Sequence, residues 1–503
     1  LARRGTASVA GAGASALFGV LLVVIVTNGF TPTVAGTLFA STSMFLILES
    51  VALLGTDTGL VKWLPAHRAS GRPGDQFRTL VIAAVPVLGL AVGVGAALYA
   101  AAPALAPHLV GREAATTVTA MLRTFAVVLP VAALHDLVMA ATRGTGTMRP
   151  TVLVDNLGRL GVQSLAVLVV DLSGGGALEL ALAWSLPYAL GLVAASAWLH
   201  RLIASPAGVP QPATPWPTLA REFWAYTAPR AIARVTQTAL KRSDIVLVAA
   251  LASPAEAALY TAATRFIVVG QLFVQAVQQA LAPHLSALFA RDERSAANSV
   301  FQAATLWSVT ASWPFYLALA GFSPLLMGVF GDGYGVASDV VLVLSLTMLL
   351  ATACGPVDSV LLMAGRSWLS LRNSTVALGV NIALNLVLIP LDGIRGAAIA
   401  WSVAIVVRNL QPLLQVRRHL AMWPVTRTTL QVAGAALVCF GSVGLLSLVT
   451  DLPVALDAMA LGLAGLVYLS GVWRWRGRLG LSAFQAALRR RPGTAAPAMA
   501  SPV

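Results

Sequence analysis

Charged residues are scarce in this chain of 503 residues, and acidic residues are the scarcest of them. Only 10% of the residues are charged, with 19 Asp and Glu against 33 Lys and Arg, and Lys62 and Lys241 are the only lysines. So little charge, together with a mean hydropathy of +0.82, excludes an ordinary soluble protein and a disordered chain. The two cysteines, Cys354 and Cys439, lie in apolar runs, so no disulfide framework is predicted.

Apolar runs of about 20 residues recur along the whole chain, and each is long enough to cross ~30 Å of hydrocarbon. The short alternating segments of a β-barrel are absent. The first run is too long for a signal peptide, so we interpret it as a retained helix. We expect an all-α polytopic membrane protein with about 14 transmembrane helices. They are predicted at 7–28, 34–64, 79–102, 117–142, 150–171, 177–200, 222–251, 255–283, 298–320, 337–363, 371–390, 396–416, 428–450 and 453–473.

The positive charge is distributed unequally between the two sides of these helices. A pI near 11 is compatible with nucleic-acid binding, but the position of the charge argues against a nucleic-acid partner. The side that holds both chain ends carries 23 Lys and Arg, whereas the opposite loops carry only Arg112 and Arg395. The positive-inside rule therefore predicts that both ends are cytoplasmic, as in a multi-pass protein of a bacterial cytoplasmic (inner) membrane. The basic tail is expected to contact anionic membrane lipids.

Two copies of a six-helix unit follow one another. Pro32 matches Pro254 at an offset of 222, and Trp184 in "LAWSLPY" matches Trp401 in "IAWSVAI" at an offset of 217. Five such matches occur in order, which predicts an internal repeat. Because six is even, both copies share one orientation, and their symmetry axis follows the membrane normal. The expected domains are an N-terminal lobe (1–204), a Pro-rich cytoplasmic linker (205–221), a C-terminal lobe (222–420), two further helices (421–473) and the basic tail (474–503).

Positive charge inside a membrane helix is the most unusual local feature, and it occurs in the stretch "PRAIARVTQTALKRSD". At about 100° per residue, one face of about 80° collects Arg230, Arg234, Gln237, Lys241 and Asp244, while Arg242 lies off it. Charge at hydrocarbon depth normally faces a bundle interior or an aqueous cavity, so this face predicts a cationic cavity. The structural alternative is that Arg230 reaches the headgroups and that Lys241 and Asp244 neutralise each other.

The following helix carries a second polar face, formed by Gln271, Gln275 and Gln278. Glutamines at this spacing either join helices to one another or bind a hydroxyl-rich ligand. Arg265 shares this helix, so we add it to the predicted cationic cavity, whereas Arg408 is a lone charge elsewhere.

Three acids are candidates for coupling transport to protons, sodium or the membrane potential: Glu49, Asp57 and Asp244. An acid in the first lobe is alternatively a partner for an arginine of the second lobe. Asp155 and Arg159 are spaced i, i+4 and are interpreted as a structural ion pair. The six histidines show no metal-ligand spacing, and neither a metal nor a cofactor is expected.

Three segments carry a family resemblance: "PRAIARVTQTALKRSDIVLVAALASPAEAALYTAATRF" (229–266), "SPLLMGVFGDGYGVAS" (323–338) and "LDGIRGAAIAWSVA" (391–404). Through them the chain resembles the oligosaccharide and polysaccharide flippases of the multidrug/oligosaccharidyl-lipid/polysaccharide exporter superfamily. The resemblance implies two bundles in a V that alternate access and export a polyprenyl-diphosphate-linked oligosaccharide to the outer leaflet. It implies that Arg230, Arg234 and Lys241 bind the diphosphate, and that polysaccharide polymerases or glycosyltransferases of the same pathway are partners.

Three alternatives stay open at this point. A lipid II flippase would bind the same diphosphate group. A multidrug or cation antiporter of the same fold would favour acids over arginines in its cavity. A membrane glycosyltransferase or polymerase usually needs a large external domain, and the loops of this chain are short.

Overall fold

The computed structural model describes residues 2–110, 115–203, 214–450, 453–475 and 477, and within them no strand occurs. One π-helical segment spans Thr151–Arg159 and another spans Leu437–Gly441. The α-helices are α1 (Ala2–Gly29), α2 (Pro32–Ala52), α3 (Thr56–Ala69), α4 (Pro73–Val110), α5 (Ala115–Gly144), α6 (Leu160–Leu172), α7 (Ala177–Ser185), α8 (Pro187–Ile203), α9 (Trp216–Leu251), α10 (Pro254–Ala290), α11 (Arg294–Gly321), α12 (Ser323–Met327), α13 (Ser338–Ala353), α14 (Val357–Met363), α15 (Ser367–Leu420), α16 (Arg427–Ala436), α17 (Ser442–Val449) and α18 (Val454–Arg474).

The predicted all-α polytopic fold is confirmed. In the described part of the chain, 11 helical segments are long and apolar enough to cross a membrane, and the bent pair of α11 and α12 brings the number to 12. The 36 residues of α9 are also long enough, but its Arg and Lys side chains make it less apolar. With α9 included and α15 counted as two crossings, the structure is compatible with the predicted fourteen.

The 54 residues of α15 form a helical hairpin. A straight helix of that length would extend about 80 Å, far beyond a bilayer. The backbone leaves helical geometry at Asp392 and Gly393, where Gly393 has φ 50° and ψ −129°. Directly after this break, a Cβ at Gly396 would overlap the carbonyl oxygen of Leu388, so the two arms meet closely. The predicted helices 371–390 and 396–416 are therefore the two arms of this hairpin.

One predicted helix, 34–64, is wrong as a continuous element. It is interrupted between α2 and α3, where Leu54 and Gly55 have φ of 51° and 72°. A Cβ at Gly55 would lie 2.7 Å from the backbone nitrogen of Ala231, so α9 approaches this break closely. The predicted helix 337–363 is interrupted in the same way between α13 and α14, where Gly355 has φ 70°. Glycine supplies the left-handed conformation that both breaks need.

The start of α9 corrects the predicted linker. Because α9 begins at Trp216, the last six residues of the predicted 205–221 segment are helical. Pro217 occupies the first turn, where its missing N–H removes no helical hydrogen bond. Residues 204–213 and nearly all of the tail 474–503 lie outside the described residues.

The loops define two ends of the bundle. We call inner the end that holds the loops at 70–72, 145–150, 291–293 and 364–366, and outer the end that holds 30–31, 173–176 and 252–253. The same neighbour relations occur in both halves. The packing of α4 on α5 in the first half corresponds to that of α11 on α13 in the second. Likewise, the packing of α1 on α6 corresponds to that of α9 on α15. The halves meet chiefly where α2 packs on α9 and α10.

Close backbone contacts fix these helices at the outer end. A Cβ at Gly36 of α2 would overlap the carbonyl oxygen of Pro254 at the start of α10. Nearby, the Asn28 side chain donates a hydrogen bond of 3.1 Å to the carbonyl of Val329. The C-terminal helices α16 and α17 pack on α11, where a Cβ at Gly321 would overlap Gly444. Small residues at such crossings allow membrane helices to approach closely.

A candidate anion-binding site between the two halves

One ion pair joins the two halves near the inner end. Arg234 of α9 donates from Nη1 to Oδ2 of Asp57 on α3, over 3.1 Å. Asp57 Oδ1 and Arg234 Nε are buried without a hydrogen-bond partner in the described part of the chain. One predicted alternative was that an acid of the first lobe pairs with an arginine of the second lobe. Asp57 is such an acid. Since only one hydrogen bond forms, the guanidinium keeps capacity for a second acceptor.

Arg230 lies one turn closer to the inner end and folds back along its own helix. Its Nη1 donates to the Tyr226 carbonyl over 2.8 Å, and its Cζ lies 3.5 Å from the centre of the Tyr226 ring. Lys62 Nζ also lies 3.5 Å from the centre of that ring. Tyr226 therefore holds one cation from each half of the molecule, and cation–π contact accounts for both positions.

Deeper in the bundle, four positive side chains form a cluster. Lys241 is exposed, and the like charges of Arg408, Arg242 and Arg234 act on it. The charge of Arg242 acts on Arg265 of α10, whose Nε is buried without a hydrogen-bond partner among the described residues. Within the described residues, no carboxylate forms an ion pair with Lys241, Arg242, Arg265 or Arg408. We call these four residues the cationic cluster.

The cationic cluster extends the predicted site. Arg242 lies off the predicted face of α9, and Arg408 lies on a different helix, yet both act on Lys241. A helical wheel compares residues of one helix only, so it contains no signal for the packing of α10 and α15 against α9.

The four predicted polar residues for sugar binding lie on α9 and α10. Gln237 and Gln275 are exposed, and Gln271 and Gln278 are half-buried. Their side chains have no hydrogen bond to another described residue, which leaves amide donors and acceptors free. The interpretation of these glutamines as a ligand surface stays a prediction.

Asp244 belongs to a separate buried cluster within the second half. Its carboxylate accepts hydrogen bonds from Asn385 Nδ2 over 2.8 Å and from Tyr260 over 3.2 Å. Asn381 Nδ2 and Asn385 Oδ1 are buried without a partner among the described residues. Asp244 and Lys241 do not form an ion pair, so the alternative in which they neutralise each other is not what the structure shows.

Glu49 is the predicted acid that lies deepest in the first half, at 4% exposure. The neighbouring acid is Asp136 on α5, whose Oδ1 lies 3.0 Å from His135 Nδ1, while Glu49 Oε1 is buried without a hydrogen-bond partner among the described residues. Sequence reasoning did not select His135 and Asp136, although an adjacent His–Asp pair inside the apolar run "AALHDLVMAA" was an available signal. Buried polar groups in a membrane interior usually have such partners.

The expected ion pair of Asp155 and Arg159 is present, with Arg159 Nε 2.6 Å from Asp155 Oδ1. Arg159 also lies 4.5 Å from the centre of the Tyr188 ring. Both residues stand on the π-helical segment before α6, which departs from ordinary helical spacing. No group of three or more His, Cys, Asp or Glu that could hold a metal ion occurs among the described residues.

The site and the fold together define a class of protein. Together they describe a multi-pass helical bundle in two related halves, with positive side chains inside the second half and at its contact with the first. The chain belongs to the polysaccharide biosynthesis protein family, whose family model matches residues 1–289. The MatE family model also matches residues 229–387. The chain is thus a flippase or transporter of the multidrug/oligosaccharidyl-lipid/polysaccharide exporter superfamily, as the resemblance predicted.

Individual proteins of this superfamily are similar to the chain in sequence or fold. The probable low-salt glycan biosynthesis flippase Agl15 of Haloferax volcanii is 26% identical over 168 residues, a match that spans 33% of this chain and 36% of that protein. The lipid II flippase MurJ in an inward closed conformation has a TM-score of 0.73 at 14% identity, covering 92% of this chain and 98% of that one. An inward-facing multidrug resistance MATE family transporter has a TM-score of 0.64 at 14% identity, covering 81% and 94%.

Proposed function

We propose that this protein flips a polyprenyl-diphosphate-linked oligosaccharide from the cytoplasmic to the outer leaflet by alternating access, for cell-surface polysaccharide synthesis. The observation that carries the proposal is the cationic cluster, which has no ion-paired carboxylate in the described part of the chain. Like charges at membrane depth repel one another, and a bound anion would offset that cost. The 26% identity to part of a glycan flippase supports a glycan-bearing substrate.

In this proposal the residues divide according to the chemistry of the substrate. Arg230, Arg234, Lys241 and Arg265 bind the diphosphate, since guanidinium groups donate paired hydrogen bonds to phosphate oxygens. Arg242 and Arg408 join them through the cluster. The amides of Gln237, Gln271, Gln275 and Gln278 bind sugar hydroxyls. The protein moves its substrate unchanged, within the bacterial cytoplasmic membrane and with both termini cytoplasmic. Glycosyltransferases make the substrate and a polymerase consumes it.

A leaflet-transfer assay tests this function. Purified protein is placed in liposomes with a polyprenyl-diphosphate oligosaccharide, and appearance of the sugar on the far leaflet is followed. We expect wild type to transfer it and the Arg234→Gln/Lys241→Gln variant to lose at least tenfold in rate, since two phosphate contacts disappear. The matched control is Arg372→Gln/Arg418→Gln, which removes two exposed charges of α15 near the inner end. Equal loss in both variants would contradict the assigned role, and mass spectrometry of the product would detect any catalysis.

Coupling is proposed at Asp244. The buried Asp244 carboxylate can take up a proton, and together with the unused Asn385 Oδ1 it offers hard oxygen ligands to sodium. Glu49 with Asp136 is the corresponding candidate in the first half, while Asp57 is already occupied by Arg234. We expect Asp244→Asn to abolish the dependence of transfer on an ion gradient. A variant that keeps the full dependence would exclude Asp244 and leave Glu49 to be tested.

Lipid II is the second candidate substrate. The similarity to MurJ covers 92% of this chain, against 81% for the inward-facing MATE transporter, although at 14% identity it shows the fold alone. Offering lipid II and a lipid-linked oligosaccharide in the same assay distinguishes the two flippases. Efflux of an organic cation in place of either lipid would instead support a multidrug transporter.

A further inference from the structure

We propose that a second anion-binding subsite, for a phosphate-bearing headgroup, lies between the two halves at the inner end. It is a cavity of about 420 Å³ that we call the inner pocket, lined by Asp57, Thr58, Val61, Lys62, Arg143 and Tyr226. The inference rests on the proposed function, because it assigns the place where a diphosphate headgroup is held before it reaches the cationic cluster.

The inner pocket has the size and the position for this role. A water molecule takes about 30 Å³ in the liquid, so the cavity holds on the order of a dozen waters or one hydrated diphosphate. Three helices form it: α3 and α5 from the first half and α9 from the second. Arg143 stands in the last turn of α5, which ends at the inner end. The pocket is therefore at the inner end of the contact between the halves.

The charge of the inner pocket is net positive. Within the described residues, neither Lys62 nor Arg143 forms an ion pair with a carboxylate. Asp57 is the acid among the lining residues, and its Oδ2 already accepts from Arg234 over 3.1 Å. Two positive charges are thus left without a counter-ion, and a phosphate group supplies one.

Aromatic rings fix one of these charges in place. Lys62 Nζ lies 3.5 Å from the centre of the Tyr226 ring and 4.9 Å from that of Trp63. Arg230 Cζ lies 3.5 Å from the centre of the same Tyr226 ring, and Arg234 follows one turn later on α9. At 1.5 Å per residue, Lys241 stands a further ~10 Å along the axis. Positive groups therefore continue from the inner pocket to the cationic cluster, and the Asp57–Arg234 pair lies between them.

Lysines and arginines at the inner end of a membrane protein usually contact lipid headgroups. Here Lys62 contacts α9, which belongs to the other half, so its ammonium group is held between protein helices. A phosphate group from either source, an anionic lipid or the diphosphate of the substrate, presents the same chemistry to the pocket. We favour the substrate because the positive groups lead inward, and the experiment separates the two sources.

The test uses the full chain in nanodiscs of zwitterionic phosphatidylcholine, titrated calorimetrically with geranyl diphosphate, a short and soluble polyprenyl diphosphate. We expect Lys62→Gln/Arg143→Gln to weaken binding about tenfold. The charge-retaining Lys62→Arg/Arg143→Lys variant should stay within about threefold of wild type, which controls for folding. The Arg372→Gln/Arg418→Gln variant should bind as wild type does, because its charges lie outside the pocket.

Several results would overturn the subsite. If Lys62→Gln/Arg143→Gln binds as wild type while Arg234→Gln/Lys241→Gln binds weakly, the inner pocket is not a subsite and the proposed function stands. If wild type neither binds geranyl diphosphate nor transfers the lipid-linked substrate, both proposals fail. Nanodiscs that contain phosphatidylglycerol test the lipid source. If Lys62→Gln/Arg143→Gln loses phosphatidylglycerol that wild type retains, yet binds geranyl diphosphate as wild type does, the pocket binds a lipid headgroup and not the substrate.

Discussion

Arg234 and Asp57 are separated by 177 residues in sequence and meet through a single hydrogen bond of 3.1 Å between the two halves of the molecule. The pair uses one oxygen of the carboxylate and one terminal nitrogen of the guanidinium, and it leaves a buried atom on each side without a partner among the described residues. In the proposed function, a diphosphate that takes the Arg234 nitrogen now bound to Asp57 displaces that carboxylate. Substrate binding would then be linked to this contact between the two halves.

The first prediction concerns Asp57→Asn. The amide cannot form the ion pair, so Arg234 becomes free for the ligand, and binding of geranyl diphosphate should tighten about three- to tenfold. Release from Arg234 should become slower, and the transfer rate should fall. The matched control is Glu222→Gln, which removes an exposed acid near the inner end of α9 and should change neither quantity. Weaker binding in Asp57→Asn would contradict the displacement of Asp57 by the diphosphate.

The second prediction concerns the crossing of α2 and α10. Gly36→Ala would place a methyl group against the Pro254 carbonyl, and because that atom is backbone the helices must move apart. Overpacking of this kind costs about 1–3 kcal/mol, so the midpoint of thermal unfolding in detergent should fall by several degrees. Gly13→Ala is the control, because nothing lies within 4 Å of its added methyl group. Equal midpoints in the two variants would refute the close contact.

The third prediction concerns the attachment of the C-terminal helices. Gly321→Ala would place its methyl group against Gly444 and push α17 away from α11. We expect proteolysis in the segment between α15 and α16 to become severalfold faster, because this segment leads directly into α16 and α17 and loses support when they are displaced. Gly441→Ala adds a methyl group with nothing within 4 Å and should be cleaved at the wild-type rate. Unchanged cleavage in Gly321→Ala would show that the crossing does not hold these helices.

The fourth prediction concerns pH and His67, near the inner end of α3. Burial lowers the pKa of His67, which is stacked on Trp63 and lies 3.0 Å from the Thr79 hydroxyl. The unfolded chain then binds the proton more readily, so this contribution to stability is full above the ordinary histidine pKa of about 6.5 and decreases below it.

Thermal stability should therefore decline as the pH is lowered from about 7.5 to about 5.5, and His67→Gln should reduce that decline. The control is His200→Gln, which replaces an exposed histidine at the end of α8. A decline of the same size in wild type and His67→Gln would assign the pH dependence to another group.

The predicted charged face of α9 shows how far a sequence pattern extends toward a site. Helical spacing grouped Arg234 and Lys241 correctly on one helix, since 3.6 residues per turn is a local property. The same spacing separated Arg242, whose charge acts on Lys241 and on Arg265 of α10. It also placed Asp244 beside the cations, whereas Asn385 and Tyr260 hold its carboxylate. Partners from other helices decided both differences.

The breaks within helices likewise depend on tertiary contacts that a sequence pattern does not contain. The apolar run at 34–64 predicted one continuous helix because hydropathy does not register backbone conformation. In the structure, Gly55 has a positive φ at the point where α9 approaches. A Cβ at this position would lie 2.7 Å from the backbone nitrogen of Ala231. A contact between distant segments therefore set the position of this break.

The sequence by itself determined the class of this protein, because apolar runs of bilayer length and the bias of positive charge are properties of local composition. It also determined the internal repeat, since the matched segments keep nearly constant spacing. Only the tertiary structure decided that Arg234 faces Asp57, that the charges of Arg242 and Arg408 act on Lys241, and that Lys62 and Arg230 share Tyr226. Those relations depend on which helix faces are brought together, and packing over the whole chain determines that.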